Sequence, residues 1–202
     1  MRKLLVSLVV TLGLVSAAHA QVAGNPSAGR EKAQVCAACH GQQGISVAPT
    51  FPNLAGQQPD YLIKQTIDIR DGARVVPQMA GIVDNLTDQD IADLAAYYAN
   101  QTPNLGQADP ELAQRGLELY KAGSLAKGIP ACMACHMPSG EGINTARYPA
   151  LSGQHPEYTV TTLRAFANGE RSNDPNAIMQ DIASKMSDSD MEAVANYVYG
   201  VH

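Results

Sequence analysis

Cys36-Ala37-Ala38-Cys39-His40 and Cys132-Met133-Ala134-Cys135-His136 are two copies of one pentapeptide, 96 residues apart, and together they use every cysteine of the 202-residue chain. Each residue type in Cys-x-x-Cys-His has a chemical reason to stand where it does. Two thiols one helical turn apart reach the two vinyl groups along one edge of a haem, and the adjoining His brings an imidazole beneath the iron. The pattern therefore predicts two covalently bound haem c groups, one on Cys36 and Cys39 and one on Cys132 and Cys135, with His40 and His136 as iron ligands. Four cysteines in two pairs also suit a single structural zinc, and one pair suits a redox-active dithiol. Neither chemistry accounts for a His directly after both pairs.

Working outward, Arg2 and Lys3 precede an apolar run from Leu4 to Val15 and the small-residue site Ala18-His19-Ala20. This is the three-part layout of a secretory signal peptide, so residues 1–20 are expected to be cleaved and the mature chain to begin at Gln21 in the periplasm. The apolar run is too short to span a bilayer, and no stop-transfer pattern follows it. Export agrees with the pentapeptides, because bacterial c-type haems are attached outside the cytoplasm. Without Arg2 and Lys3 the chain carries 12 basic against 19 acidic residues, which argues against nucleic acid and anionic lipid as partners. Peripheral association with a membrane stays open, and a monomer is the favoured state.

An internal repeat organises the rest. Pro52-Asn53-Leu54-Ala55-Gly56-Gln57-Gln58-Pro59-Asp60-Tyr61 returns as Pro149-Ala150-Leu151-Ser152-Gly153-Gln154-His155-Pro156-Glu157-Tyr158, and Asp71-Gly72-Ala73-Arg74 as Asn168-Gly169-Glu170-Arg171, both offset by 97. Met79, Thr87, Asp88, Asp90 and Tyr97 then reappear as Met179, Ser187, Asp188, Asp190 and Tyr197, offset by 100. The chain divides into an N-terminal domain over 21–100, a polar linker over 101–108 and a C-terminal domain over 109–202.

Each repeat reads as three helices. Asn25-Pro26 starts a helix running into Cys36, Pro59 starts one that stops at Gly72, and Thr87 opens a third; Asp109-Pro110, Pro156 to Gly169 and Ser187 to Gly200 mark their counterparts. No segment shows strand alternation. Tyr97 and Tyr197 are read as packing residues against the first helices, near Gly29 and Gly116. Domains this small bury little apolar surface alone, so the haem serves as much of the core. An insertion around Ala122 to Pro130 lengthens the second repeat without an evident purpose.

The sixth iron position has one candidate per repeat. Apart from the initiator, Met79 is the only methionine of the first half, and the repeat pairs it with Met179. A thioether is a soft, neutral ligand that favours ferrous iron. Met186 and Met191 fall at the positions of Leu86 and Ile91 and read as core residues, His155 as part of a surface loop, and His202 as an exposed terminus. An apolar cleft is expected between each His and its Met.

Cys36 to His40, Pro52-x-Leu54 and Met79, repeated as Cys132 to His136, Pro149-x-Leu151 and Met179, resemble two fused class I c-type cytochrome domains. Their tandem order, with the Leu-x-Gly-Gln-x-x-x-Tyr segments and Asp84 to Asp90, is similar to the cytochrome c4 family over essentially all of 21–202. The connection from Gly72 to Met79 departs from that pattern in being short. The resemblance implies an all-α pair of tandem domains related by a pseudo-twofold axis, with haem propionates facing each other across the interface. It also implies that the carbonyls of Pro52 and Pro149 accept the other N–H of His40 and His136, fixing ring orientation.

With His and Met both bound, an iron has no open position, which suits outer-sphere electron transfer rather than catalysis. The resemblance implies a quinol-oxidising bc-type complex as donor and a haem-copper terminal oxidase as acceptor. Two other readings compete: the dihaem electron-accepting subunit of a flavin-containing sulfide dehydrogenase, and a dihaem enzyme with an open iron. The symmetric pair Met79 and Met179 opposes the enzyme.

Overall fold

Every regular element in residues 23–202, which the computed structural model describes, is helical; the expected signal peptide lies outside those residues. No helix among the described residues is long and apolar enough to cross a membrane. The side chain of Asn25 accepts from the N–H groups of Ser27 and Ala28 and so caps α1 (Pro26–Lys32), with Pro26 preset for the first turn. α1 stops at Lys32 instead of running into Cys36. Backbone bonds from Ala33 to Gly29 and from Ala37 to Ala33 nevertheless carry the helical path through a turn into α2 (Ala37–His40), the first pentapeptide.

α3 (Pro59–Arg70) ends where Gly72 adopts a φ of 81°. α4 (Asp88–Ala99) begins with a capping box, Thr87 and Asp90 each bonding the other's backbone N–H. The second repeat follows with α5 (Pro110–Ala122), α6 (Met133–His136), α7 (Pro156–Ala167) and α9 (Asp188–Gly200), the last opened by the capping box of Ser187 and Asp190.

It also contains an unexpected helix, α8 (Ile178–Ser184), where the first repeat has only a 3-10 turn at Pro77–Met79. The cause is local. The second repeat has three more residues here, and the Asp174 carboxylate accepts from the N–H groups of Met179 (2.7 Å) and Gln180 (3.2 Å), which supplies the new N-terminus with a cap.

Within each domain the first and last helices cross and the middle helix lies on the last: α1 and α3 on α4, α5 and α7 on α9. Glycine permits the crossings. A Cβ on Gly29 would meet the Asp93 carbonyl at 2.0 Å, and one on Gly116 the Ala193 carbonyl at 2.2 Å and Tyr197 Cβ at 2.5 Å. Gly116→Ala is expected to cost about 3 kcal/mol or more, because two helix backbones must separate. A chemical denaturation midpoint unchanged from wild type would refute this.

Charge clamps reinforce the crossings. Asp93 on α4 accepts from Lys32 (2.8 Å) and from the Asn25 N–H (2.8 Å), and the Lys32 ammonium holds its pKa at about 2. In the second domain the fully buried Asp190 pairs with Arg115 and Lys127. Burial raises the Asp190 pKa, but its bonds to Lys127, Ser187 and Arg115 outweigh that and hold it low. Lys127 belongs to the insertion, which thus supplies a cation to the cap of α9.

The cores differ by an exchange of volumes. Ala33 on the first-helix side faces Tyr98 of α4 in one domain, whereas in the other Tyr120 of α5 faces Val198 of α9. The two aromatics are buried at non-equivalent repeat positions, so one large and one small residue fill each core.

The domains meet about a pseudo-twofold axis, shown by reciprocal hydrogen bonds. The Gln57 amide donates to the Ala150 carbonyl (2.9 Å) and accepts from the Ala150 N–H (2.7 Å). Its repeat partner Gln154 donates to the Asn53 carbonyl (2.9 Å) and accepts from the Asn53 N–H (2.8 Å). Asn53 and Ala150 are themselves repeat equivalents, so one contact is made twice. The expected linker is docked rather than free: Pro103 lies against Gly56, and Asn104 against Gly153, to whose carbonyl it donates at 3.2 Å.

Candidate haem sites

In both pentapeptides the His side chain turns inward from a single helical turn. His40 is 9% exposed and His136 8%. His40 Nδ1 lies 2.9 Å from the Pro52 carbonyl, and His136 Nδ1 2.9 Å from the Pro149 carbonyl. A carbonyl can only accept, so each Nδ1 carries the proton and each Nε2 is left with its lone pair. Burial pushes both imidazole pKa values down against the opposing pull of the proline carbonyls, which keeps the rings neutral. A neutral, oriented imidazole with a free Nε2 is what an iron ligand requires.

The same local bonds hold the proline loops in place. The Gly44 carbonyl accepts from the N–H groups of Leu54 and Ala55, and the Gly140 carbonyl from those of Leu151 and Ser152. The N–H groups of Gly56 and Gly153 then tie these loops to the carbonyls of Tyr98 and Val198 at the ends of α4 and α9. An aromatic preceding each proline flanks the imidazole, Phe51 at 6.2 Å from His40 and Tyr148 at 6.3 Å from His136 between ring centroids.

None of the four cysteines is paired in a disulfide, and all are half-buried. Burial raises the thiol pKa of Cys36, and that of Cys132 to about 11. Among the described residues no three His, Cys, Asp or Glu side chains gather as a metal cage, so the single-zinc reading of the two Cys pairs fails. Each pair instead stays with its own His in its own domain. The donor set of two thiols, one neutral imidazole and a thioether candidate fits a haem c in each domain.

Met79 closes its 3-10 turn and Met179 lies in the first turn of α8; both are half-buried, and Met179 packs against the core containing Tyr120 and Phe166. Met191 is a core residue, 3% exposed, and Met186 packs on the same cluster. His155 is not a surface-loop residue. It stands at the domain interface, where its Nε2 is 3.0 Å from the Ser46 carbonyl. Cavities of about 490 and 430 Å³ are lined by Arg30, Gln34 and Tyr97 and by Ala23, Ile63 and Ala96, and neither includes His40, Met79, His136 or Met179.

Two features escaped sequence reasoning. Among the described residues the buried Tyr98 hydroxyl has only the weak acceptor Cys36 beside it and no oxygen or nitrogen partner, whereas that of Tyr120 donates to the Met137 carbonyl at 2.6 Å. Met137 needs that hold, for its φ of 67° occupies the left-handed region where the first repeat has Gly41. The cross-domain roles of Gln57 and Gln154 were missed too, although their recurrence at an offset of 97 was a visible signal.

Comparison with known proteins matches a family described as "Cytochrome c" to residues 113–201 and one described as "Cytochrome C oxidase, cbb3-type, subunit III" to residues 25–97. The cytochrome c4 of Pseudomonas aeruginosa is 52% identical over 203 residues, covering 100% of both chains. The crystal structure of reduced recombinant cytochrome c4 from Pseudomonas stutzeri is similar with a TM-score of 0.87 and 45% identity, over 89% of this chain and 100% of that one. A thiosulfate dehydrogenase electron acceptor of Stutzerimonas stutzeri is 37% identical over 187 residues, 91% of this chain and 84% of that one. This all-α pair of cytochrome domains carries two covalently bound haem c groups and transfers electrons rather than catalysing a reaction. With full-length identity at this level and a matching two-domain fold, the chain belongs to the cytochrome c4 family.

Proposed function

We propose that this protein is exported to the periplasm and carries electrons from a quinol-oxidising bc-type complex to a haem-copper terminal oxidase. Cys36 and Cys39, and Cys132 and Cys135, would hold the haems; His40 with Met79 and His136 with Met179 would bind the irons; Pro52 and Pro149 would orient the imidazoles. The domains comprise 21–100 and 109–202, joined by 101–108, after removal of 1–20. When bound, each haem supplies a one-electron ferric/ferrous couple.

The observation that carries this reading is the duplicated His–Pro pair on two domains locked by the reciprocal Gln57 and Gln154 bonds. His40 and His136 bind in one fixed tautomer, so no proton or ring rotation has to accompany electron transfer. The locked interface keeps the distance between the two sites constant. The match of residues 25–97 to a cbb3-type oxidase subunit III family supports redox proteins as partners in general. Stopped-flow mixing of the reduced, haem-loaded protein with such an oxidase should give a second-order rate constant on the order of 10⁶ M⁻¹ s⁻¹ or above, falling with ionic strength. Oxidation slower than that of a non-partner cytochrome would overturn the pathway.

A second donor is favoured by the similarity to thiosulfate dehydrogenase electron acceptors. Reduction by a thiosulfate dehydrogenase and thiosulfate at a rate matching the bc-type complex would assign the carrier to that branch.

A further inference from the structure

Met79 and Met179 are held by different means. Asp174 Oδ2 accepts from the Met179 N–H at 2.7 Å and from the Gln180 N–H at 3.2 Å, and its Oδ1 accepts from the Gln180 side-chain amide at 2.8 Å. These backbone groups are the ones that the side chain of a helix N-cap residue satisfies, and the residue at the cap of α8 is Ala177, which has no side chain for the task. Asp174 stands in for it. In the first domain the Met79 N–H bonds the Val76 carbonyl at 2.9 Å, and the turn Pro77–Met79 has no side-chain cap. The stretch from Arg74 to Met79 contains no carboxylate.

The backbone leading into Met179 is strained. Asn176 and Ala177 have φ of 57° and 54°, two consecutive residues with side chains in the left-handed region. Asn tolerates that region, whereas Ala has no polar group to offset the crowding of its Cβ. Relaxation of these two residues would unwind the first turn of α8, on which Met179 stands. The three bonds to Asp174 oppose it. Behind Met179 the helix is anchored by the buried Ala183 and by its packing on α7. Met79 has the exposed Gln78 and Ala80 as neighbours, and a Cβ on the nearby Gly81 would meet open space.

We infer that Asp174 is a positioning residue for Met179 and keeps the second thioether on its iron more firmly than the first domain keeps Met79. This rests on the reading of Met79 and Met179 as iron ligands and deepens it. Two sites with one donor set are thereby unequal: the first haem has the more readily displaced Met, so an external ligand enters at the N-terminal domain first.

Cyanide, which binds ferric haem once the Met leaves, tests this directly. Mixed with excess cyanide, the ferric, haem-loaded protein should lose its Met-to-ferric-iron charge-transfer absorption in two phases, the slower one from the second haem. Met79→Ala should leave only the second haem's phase, which assigns it. Asp174→Ala should speed the slower phase by about tenfold, the size of effect that loss of a helix cap has on a local equilibrium, and leave the faster phase unmoved. Asp174→Asn, whose amide oxygen can still accept from both N–H groups, should return the slower phase to within about twofold of wild type. An Asp174→Ala protein whose slower phase is unchanged, or whose two phases accelerate together, overturns the inference. Where that variant fails to accumulate, the wild-type protein carries the test: a first-domain phase no faster than the second-domain phase overturns it equally. All these outcomes leave the ligation standing, because both haems still show the absorption. A wild-type protein with that absorption at one haem alone removes the pairing of Met79 or Met179 with its iron, and the inference with it.

Discussion

Met179→Ala is expected to abolish the Met-to-ferric-iron charge-transfer absorption of one haem and leave that of the other unchanged. Alanine cannot reach a metal, and α8 holds no second sulfur; Met191 is a buried core residue of α9, and Met186 lies beyond the end of α8 at the repeat position of Leu86. The wild-type protein, with both irons saturated, should bind carbon monoxide only marginally at neutral pH. The variant should bind about one equivalent per chain, the largest functional change any single substitution here should produce. Met79→Ala should do the same at the other haem, and Met186→Ala should leave both signals intact. Absorption titration of the reduced proteins with carbon monoxide decides among these outcomes. Rapid stoichiometric binding by the wild type would reveal an open iron and remove the carrier reading.

Replacing both Cys132 and Cys135 with alanine should halve the attached haem and unfold most of the second domain. The core there is small, with Tyr120, Leu163, Phe166, Met191 and Val198 among its buried members, and a domain of this size depends on its prosthetic group for buried area. Loss should extend across the interface. Gln57 would be left without the Ala150 backbone groups and Gln65 without Arg171, so the first domain should lose about 1–3 kcal/mol although its own haem remains. Haem content per chain and thermal unfolding followed by circular dichroism measure the two effects. A doubly substituted protein that retained both unfolding transitions at wild-type temperatures would show that the second domain folds without haem.

Local chemistry was legible in the sequence wherever it depends on neighbours in the chain. The pentapeptides place thiols and imidazole on one turn, Asn25, Thr87, Asp109 and Ser187 announce helix starts, and Gly72 and Gly169 announce stops, because capping and left-handed turns are decided within a few residues. The offset of 97 likewise disclosed two homologous domains, but the step to 100 was not read as a helix, and α8 came only with the structure. The aromatic exchange between Tyr98 and Tyr120 was not legible, since it breaks the repeat: only the crossing of first and last helices brings Ala33 to one ring and Val198 to the other. Nor was the placement of His155 against Ser46, or the pinning of Pro103 and Asn104 onto Gly56 and Gly153.

Gln57 and Gln154, and Arg74 and Arg171, stood in the sequence as matched pairs. Repetition identifies equivalent residues but says nothing about which faces of two domains touch. That decision belongs to the pseudo-twofold axis, which sets each member of a pair against the other domain and brings the half-buried Arg74 and the buried Arg171 to one amide oxygen.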